Sequence, residues 1–250
     1  KRGLPMASVV DLAKLADAVY SDKVSVEQWL RVGLPFTVEN SGFKSALYQH
    51  RQSAEFSLVI AGTSPTELDD LHSDAQLAMG RMPNQYRVAR SAFQAAMNQT
   101  GGLVGFYLTG HSLGGGLVSM LGKEHGNPTV TFNAPGMARA FAHLQSNEPG
   151  MGVVRDEDRK VLHICAFFDV VSRGTGAHMG AEGSVQRINT GAVGATTFVA
   201  GAVGTLLSGG NLLVGAAAAA GATALKAHGI TRMIPVLESK SEYTEDLDWL

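Results

Sequence analysis

Gly105-Phe106-Tyr107-Leu108-Thr109-Gly110-His111-Ser112-Leu113-Gly114, residues 105–114, is the stretch on which the reading of the whole chain turns. A short apolar run of the kind that forms a buried parallel strand leads into a Gly-x-Ser-x-Gly pattern. A helix-compatible segment, Leu113 to Glu124, follows at once despite its four glycines. In that setting the two motif glycines permit a sharp strand-to-helix turn, which projects Ser112 above the sheet and aims the Leu113 amide at a negative charge developing beside it. The N-terminus of the new helix adds positive potential there. A Gly- and Ser-rich chain produces the five-residue pattern by chance, so the flanking strand and helix are what give it meaning.

On the N-terminal side, Val9, Leu12, Leu15, Ala16 and Val19 recur at helical spacing between Ser8 and Tyr20, with Ser8 placed to cap and Asp11 in the first turn. Phe43 to Gln49 and Glu55 to Ala61 read as a β-hairpin around His50-Arg51-Gln52-Ser53, ending at Gly62-Thr63-Ser64-Pro65, where the chain must turn. Asn84 to Gln99 has the pattern of a long helix, and residues 66–80 have room for a short one. Beyond the Ser112 motif, Thr129 to Asn133 and Val161 to Phe168 are further strands, and Ile230 to Leu237 resumes a helical pattern. The alternation predicts an α/β fold with a doubly wound, mostly parallel sheet whose ligands sit beyond the carboxyl ends of the strands. The acidic tail, Glu242 to Asp248, is expected in solvent.

Length and composition bound the function. The 250 residues suit one α/β domain spanning 1–250. The formal charge of −2 comes with no dense basic stripe, which argues against a nucleic-acid partner. The single cysteine, Cys165, excludes an intrachain disulfide and, inside an apolar run, reads as a buried thiol. The opening Lys1-Arg2-Gly3-Leu4-Pro5 lacks the apolar stretch of a secretory signal, so the reading expects either no signal or a processed or excised piece, and leaves the compartment open. Ile188 to Leu225 is 38 residues without a charge, rich in Gly, Ala and Val.

An exposed serine nucleophile needs a base to take its proton, a carboxylate to orient that base, and donors for the oxyanion. Asp169 directly follows an apolar strand, where a strand end delivers a carboxylate to the ligand edge; Asp156, Glu157 and Asp158 lie in a charged loop before it and are expected in solvent. His178 and His228 both lie downstream in the order that an α/β-hydrolase requires, and spacing leaves both open. No metal or organic cofactor is needed for such chemistry.

Three segments in order, Gly110-His111-Ser112-Leu113-Gly114-Gly115, Thr131-Phe132-Asn133-Ala134-Pro135-Gly136 and Asp169-Val170-Val171-Ser172-Arg173, resemble the class 3 lipases over about Phe43 to Leu237. The resemblance implies an α/β-hydrolase fold and a lipid acyl ester as substrate. It implies Asp169 as the acid and His228, at a helix start, as the base, with His178-Met179-Gly180 matching a non-catalytic His-x-Gly stretch. Ile60-Ala61-Gly62-Thr63 matches the loop carrying the second oxyanion donor, which makes Thr63 the partner of Leu113; Ala61 stands where the family has arginine. Met233 lies near the position of an aromatic residue that often follows the catalytic histidine.

By the same resemblance residues 64–83 form a lid, and the charge-free stretch 188–225 is an insertion between acid and base. That insertion is read as a cap facing a membrane or lipid surface, against the alternatives of a packed pair of small-residue helices or a true membrane span. A reading from another class is a lipid- or membrane-binding module on a hydrolase scaffold with little activity.

Overall fold

Ser8 opens the first helix, α1 (Val9–Ala18), with a reciprocal cap: its Oγ accepts the Asp11 N–H at 3.1 Å while the Asp11 carboxylate accepts the Ser8 N–H at 3.0 Å. Leu12, Leu15 and Ala16 then fall on one face and are fully buried, so the helix lies flat on the sheet. The computed structural model describes residues 7–38, 42–62, 82–102, 105–147, 151, 161–167, 169–180, 184–190, 228–245 and 247. Its strands are β1 (Ser25–Val26), β2 (Trp29–Val38), β3 (Phe43–His50), β4 (Phe56–Ile60), β5 (Phe106–His111), β6 (Thr129–Phe132), β7 (Val161–Ala166) and β8 (Val185–Ile188). They form one eight-stranded sheet in sequence order, antiparallel from β1 to β4 and parallel from β4 to β8.

The strand order never reverses, which corrects the doubly wound expectation. The connections β4–β5, β5–β6 and β6–β7 carry α2 (Met82–Thr100), α3 (Ser112–His125) and α4 (Ala138–Asn147). Side chains of all three helices join one core with Phe56, Leu58, Ile60, Phe106 and Leu108. Crossovers of one hand that stay on one face keep adding strands in one direction. The opposite face is therefore left to the chain ends. There α1, α6 (Met233–Glu238) and α7 (Ser241–Thr244) cover Val59, Tyr107, Val130 and Ile164. Alternate residues of β4 and β5 enter opposite cores, as the two-residue period of a strand requires, and burial on both faces explains why these strands read as continuous apolar runs.

Several elements were not foreseen, β1, β2, α4, β8 and α7 among them. β2 contains Gly33 and Pro35, with a register shift between Val32 and Phe36, and runs along the outer side of β3. Proline and glycine break the strand signature yet are tolerated where only one neighbour must be paired. α4 and β8 are short, ten and four residues. The tail also departs from expectation: Glu242 and Glu245 are exposed, but Tyr243 and Leu247 are buried in the core with α1, and the Leu247 N–H donates to the Ala7 carbonyl at 3.0 Å. Cys165 is a buried free thiol, raised to about 11 by burial.

Residues 64–81 of the expected lid, Thr63, and residues 191–225 of the charge-free stretch lie outside the described residues. Met82 and Pro83 begin α2, and Ile188 ends β8. Among the described residues no helix is long and apolar enough to cross a membrane.

Candidate active site

β5 ends at His111 and α3 begins at Ser112, whose φ of 55° is a left-handed backbone conformation uncommon for a residue with a side chain. The turn is this tight because it packs on the end of β4. A Cβ on Gly110 would lie 2.7 Å from the Ile60 carbonyl oxygen, and one on Gly114 would overlap the same oxygen. Both motif positions are thus closed to any other residue. Leu113, one of the first residues of α3, carries one of the N–H groups that a helix start leaves without an intrahelical acceptor.

Two strands along, β7 ends at Ala166 and the chain turns through Asp169, the N-cap of α5 (Val170–Gly174). One carboxylate oxygen accepts the Ser172 N–H at 2.7 Å; the other faces His228 Nδ1 at 2.7 Å. His228 Nε2 lies 2.7 Å from Ser112 Oγ. A carboxylate only accepts, so Nδ1 carries the ring proton, Nε2 is an acceptor, and the Ser112 hydroxyl donates to it. Burial alone would raise the Asp169 carboxyl, but the hydrogen bond and charge of His228 and the bonds from Ser172 outweigh it and hold the group below its ordinary range. Asp169 is fully buried, His228 is 3% exposed and Ser112 is 8% exposed, so the three interact with little screening by water.

The histidine left open by spacing is thereby placed. His178 donates from Nε2 to the Ser172 carbonyl at 2.9 Å and packs 4.7 Å from the ring of His163, where it supports α5; it is His228 that reaches Ser112. Gly62, the residue before Thr63, lies against the turn, since a Cβ there would sit 3.0 Å from Ser112 Cβ and 2.7 Å from the His111 carbonyl oxygen. Among the described residues no group of His, Cys, Asp and Glu is arranged to hold a metal ion.

Two residues that sequence reasoning passed over hold His228 from behind. Its carbonyl accepts from His111 Nε2 at 2.7 Å and from Asn133 Nδ2 at 2.9 Å. Asn133, at a φ of 46°, is itself clamped to β7: its amide donates to the Ile164 carbonyl at 2.9 Å and its Oδ1 accepts the Ala166 N–H at 2.7 Å. Both residues stand inside the quoted motifs, which was the available signal; their partner, a backbone carbonyl 95 or more residues away, was not.

Comparison with known proteins agrees in kind. The putative lipase ATG15 of Vanderwaltozyma polyspora is 41% identical over 71 residues, 28% of this chain and 12% of that protein. The extracellular phospholipase A1 of Serratia liquefaciens is 34% identical over 98 residues, 39% of this chain and 29% of that protein. These matches thus span less than a third of each relative's length. Among solved structures, the Lip2 lipase of Yarrowia lipolytica aligns over 72% of this chain and 82% of its own at 17% identity, with a TM-score of 0.48. The sequence model of the Tle-like phospholipase domain matches residues 11–172, from α1 through the Ser112 turn into α5. That is well over half of the 250 residues, and the chain belongs to the Tle-like phospholipase domain family.

Proposed function

We propose that this protein is a serine carboxylic ester hydrolase of the lipase or phospholipase A type, acting through an acyl-enzyme on Ser112. The observation that carries the reading is the unbroken chain from Ser112 through His228 to Asp169, with 2.7 Å at each link. As Ser112 Oγ bonds to the ester carbonyl carbon, His228 Nε2 takes its proton, and Asp169 stabilises the imidazolium without itself being protonated. The carbonyl oxygen becomes an oxyanion facing the Leu113 amide, with the Thr63 amide as second donor. The tetrahedral intermediate collapses, the bond to the alcohol oxygen breaks, and the alcohol leaves with the proton from His228. Water then attacks the acyl carbon, again losing its proton to His228, which returns it to Ser112 as the fatty acid departs.

A lipid ester is favoured as substrate by membership of a phospholipase domain family and by similarity to proteins named lipase and phospholipase A1. Incubating the chain with mixed phosphatidylcholine and triacylglycerol vesicles is expected to release free fatty acid, and a fluorophosphonate is expected to label Ser112 one to one. A chain that releases no fatty acid and leaves the probe unreacted would instead be a binding module on this scaffold.

The charge-free residues 188–225 are proposed to contact the lipid surface. Apolar segments bind an interface in proportion to the area they bury there. In liposome flotation the intact chain is expected to float, and a version lacking residues 192–222 to float less; equal flotation would remove that role.

A further inference from the structure

Gly62, Tyr20, His111 and His228 come from four separate segments, and the hydrogen bonds between consecutive members join residues 42, 91 and 117 positions apart in the chain. Tyr20 lies in the single 3-10 turn that follows α1, Val19–Ser21, and its ring meets that of His111 edge-on at 6.0 Å. The Gly62 N–H donates to Tyr20 Oη at 2.9 Å, Tyr20 Oη lies 3.1 Å from His111 Nδ1, and His111 Nε2 lies 2.7 Å from the His228 carbonyl oxygen.

One end of this chain sets the direction of every bond in it. A carbonyl can only accept, so His111 Nε2 carries the proton; the neutral ring then offers Nδ1 as acceptor, and the Tyr20 hydroxyl donates to it. The hydroxyl is left with its lone pairs for the Gly62 N–H. Burial first, and then the neighbouring His228, push the His111 ring down to about 3, so it stays neutral and keeps this one arrangement at any ordinary pH. Burial likewise raises the Tyr20 hydroxyl, which keeps its proton. No member is a free rotor: each donor has its acceptor.

We infer that Tyr20 and His111 are positioning residues, which hold the loop leading to the Thr63 oxyanion donor in register with the backbone of the base His228. The inference rests on the esterase reading above. It follows from where the chain ends: one terminus is the N–H of Gly62, the residue next to Thr63 in sequence, the other is the backbone carbonyl of the histidine that takes the Ser112 proton. Gly62 also has no room to move towards the turn, since it already packs on Ser112 Cβ and the His111 carbonyl. Tyr20 Oη lies on that same side, 2.9 Å from where a Gly62 Cβ would be, so removing the hydroxyl takes away both the acceptor of the Gly62 N–H and one of the three groups packed there. A displacement of about 1 Å in such a group costs on the order of a hundredfold in rate.

The test uses the full chain and p-nitrophenyl butyrate, with fluorophosphonate end-point labelling to count competent Ser112. Tyr20→Phe removes one oxygen and keeps the ring; it is expected to lower kcat per labelled site at least tenfold with KM changed less than about twofold. Tyr48→Phe is the control, because its hydroxyl also donates to a partner, the Lys23 carbonyl at 2.8 Å, that is not a member of the Gly62–Tyr20–His111–His228 chain; its kcat per labelled site is expected to be unchanged. His111→Leu is expected to lower kcat as well, and the double variant to be no worse than the poorer single one, as for members of one unit. His111→Gln, whose amide can still donate to His228, is expected to recover part of the loss.

Unchanged kcat per labelled site in Tyr20→Phe, with only a lower labelled fraction or melting temperature, would overturn the inference, as would losses that multiply in the double variant. If His111→Leu does not fold, the Tyr20→Phe value per labelled site decides alone. A parent chain that neither labels nor turns over the ester brings down the esterase reading and this one with it, whereas an active parent matched by Tyr20→Phe brings down only this one.

Discussion

Ser112→Ala is expected to cut ester hydrolysis by roughly five to six orders of magnitude while leaving the fold in place. The hydroxyl oxygen is the only heavy atom lost, and with it the nucleophile and the proton that His228 would accept. The backbone cost is the same for alanine as for serine at a φ of 55°, and the packing that forces the turn comes from Gly110, Gly114 and Ile60, which are untouched. The variant leaves His228 Nε2 without its donor, which costs about 1–3 kcal/mol for a buried polar group. A modestly lowered melting temperature with an unaltered circular dichroism spectrum is thus expected. Turnover comparable to the parent, measured on the same ester, would refute Ser112 as nucleophile.

Asp169→Asn is expected to lower kcat by about three to four orders of magnitude with little change in KM. The asparagine amide group would donate towards His228 Nδ1, reversing the tautomer so that Nε2 carries the proton and no longer accepts from Ser112. The same substitution has a pH signature. Asp169 titrates below its ordinary range in the folded protein, so the unfolded chain binds this proton first as pH falls. The stability it contributes is fully present above about pH 4, the unfolded value, and is lost as pH falls through the lower folded value. Melting temperatures of parent and Asp169→Asn measured from pH 7 down to pH 3 are therefore expected to converge at the acid end; a constant gap would show that the carboxylate is not held by the charge of its partners.

Much of the site was legible because its signals are local. Gly-x-Ser-x-Gly behind an apolar strand requires a strand-to-helix turn, and Asp169 at the end of the next long apolar run had to emerge at the same sheet edge. The Ser8 cap and the hairpin of β3 and β4 are likewise written within a few residues. β2 escaped because Pro35 and Gly33 contradict a strand by propensity, while the pairing with β3 that overrides them involves partners five to twenty-one residues away. The tail looked solvated because its charges are conspicuous; burial of Tyr243 and Leu247 depends on α1, at the opposite end of the chain.

Sequence by itself determined the α/β class, the serine at the turn and the carboxylate at a strand end, since strand alternation, glycine punctuation and strand termini are properties of neighbouring residues. Spacing left His178 and His228 both open and the family resemblance pointed to His228; the tertiary structure supplies the contacts that separate them, one drawn to the Ser172 carbonyl and the other to Asp169 and Ser112. It alone also decided that the sheet runs without reversal, since that follows from all three crossover helices lying on one face. The hydrogen bonds of Tyr20, His111 and Asn133 belong to the same category. Hydrogen bonds to backbone carbonyls and amides leave no mark on the identity of the distant residue that supplies them, so the motifs that contain His111 and Asn133 could not name their partners.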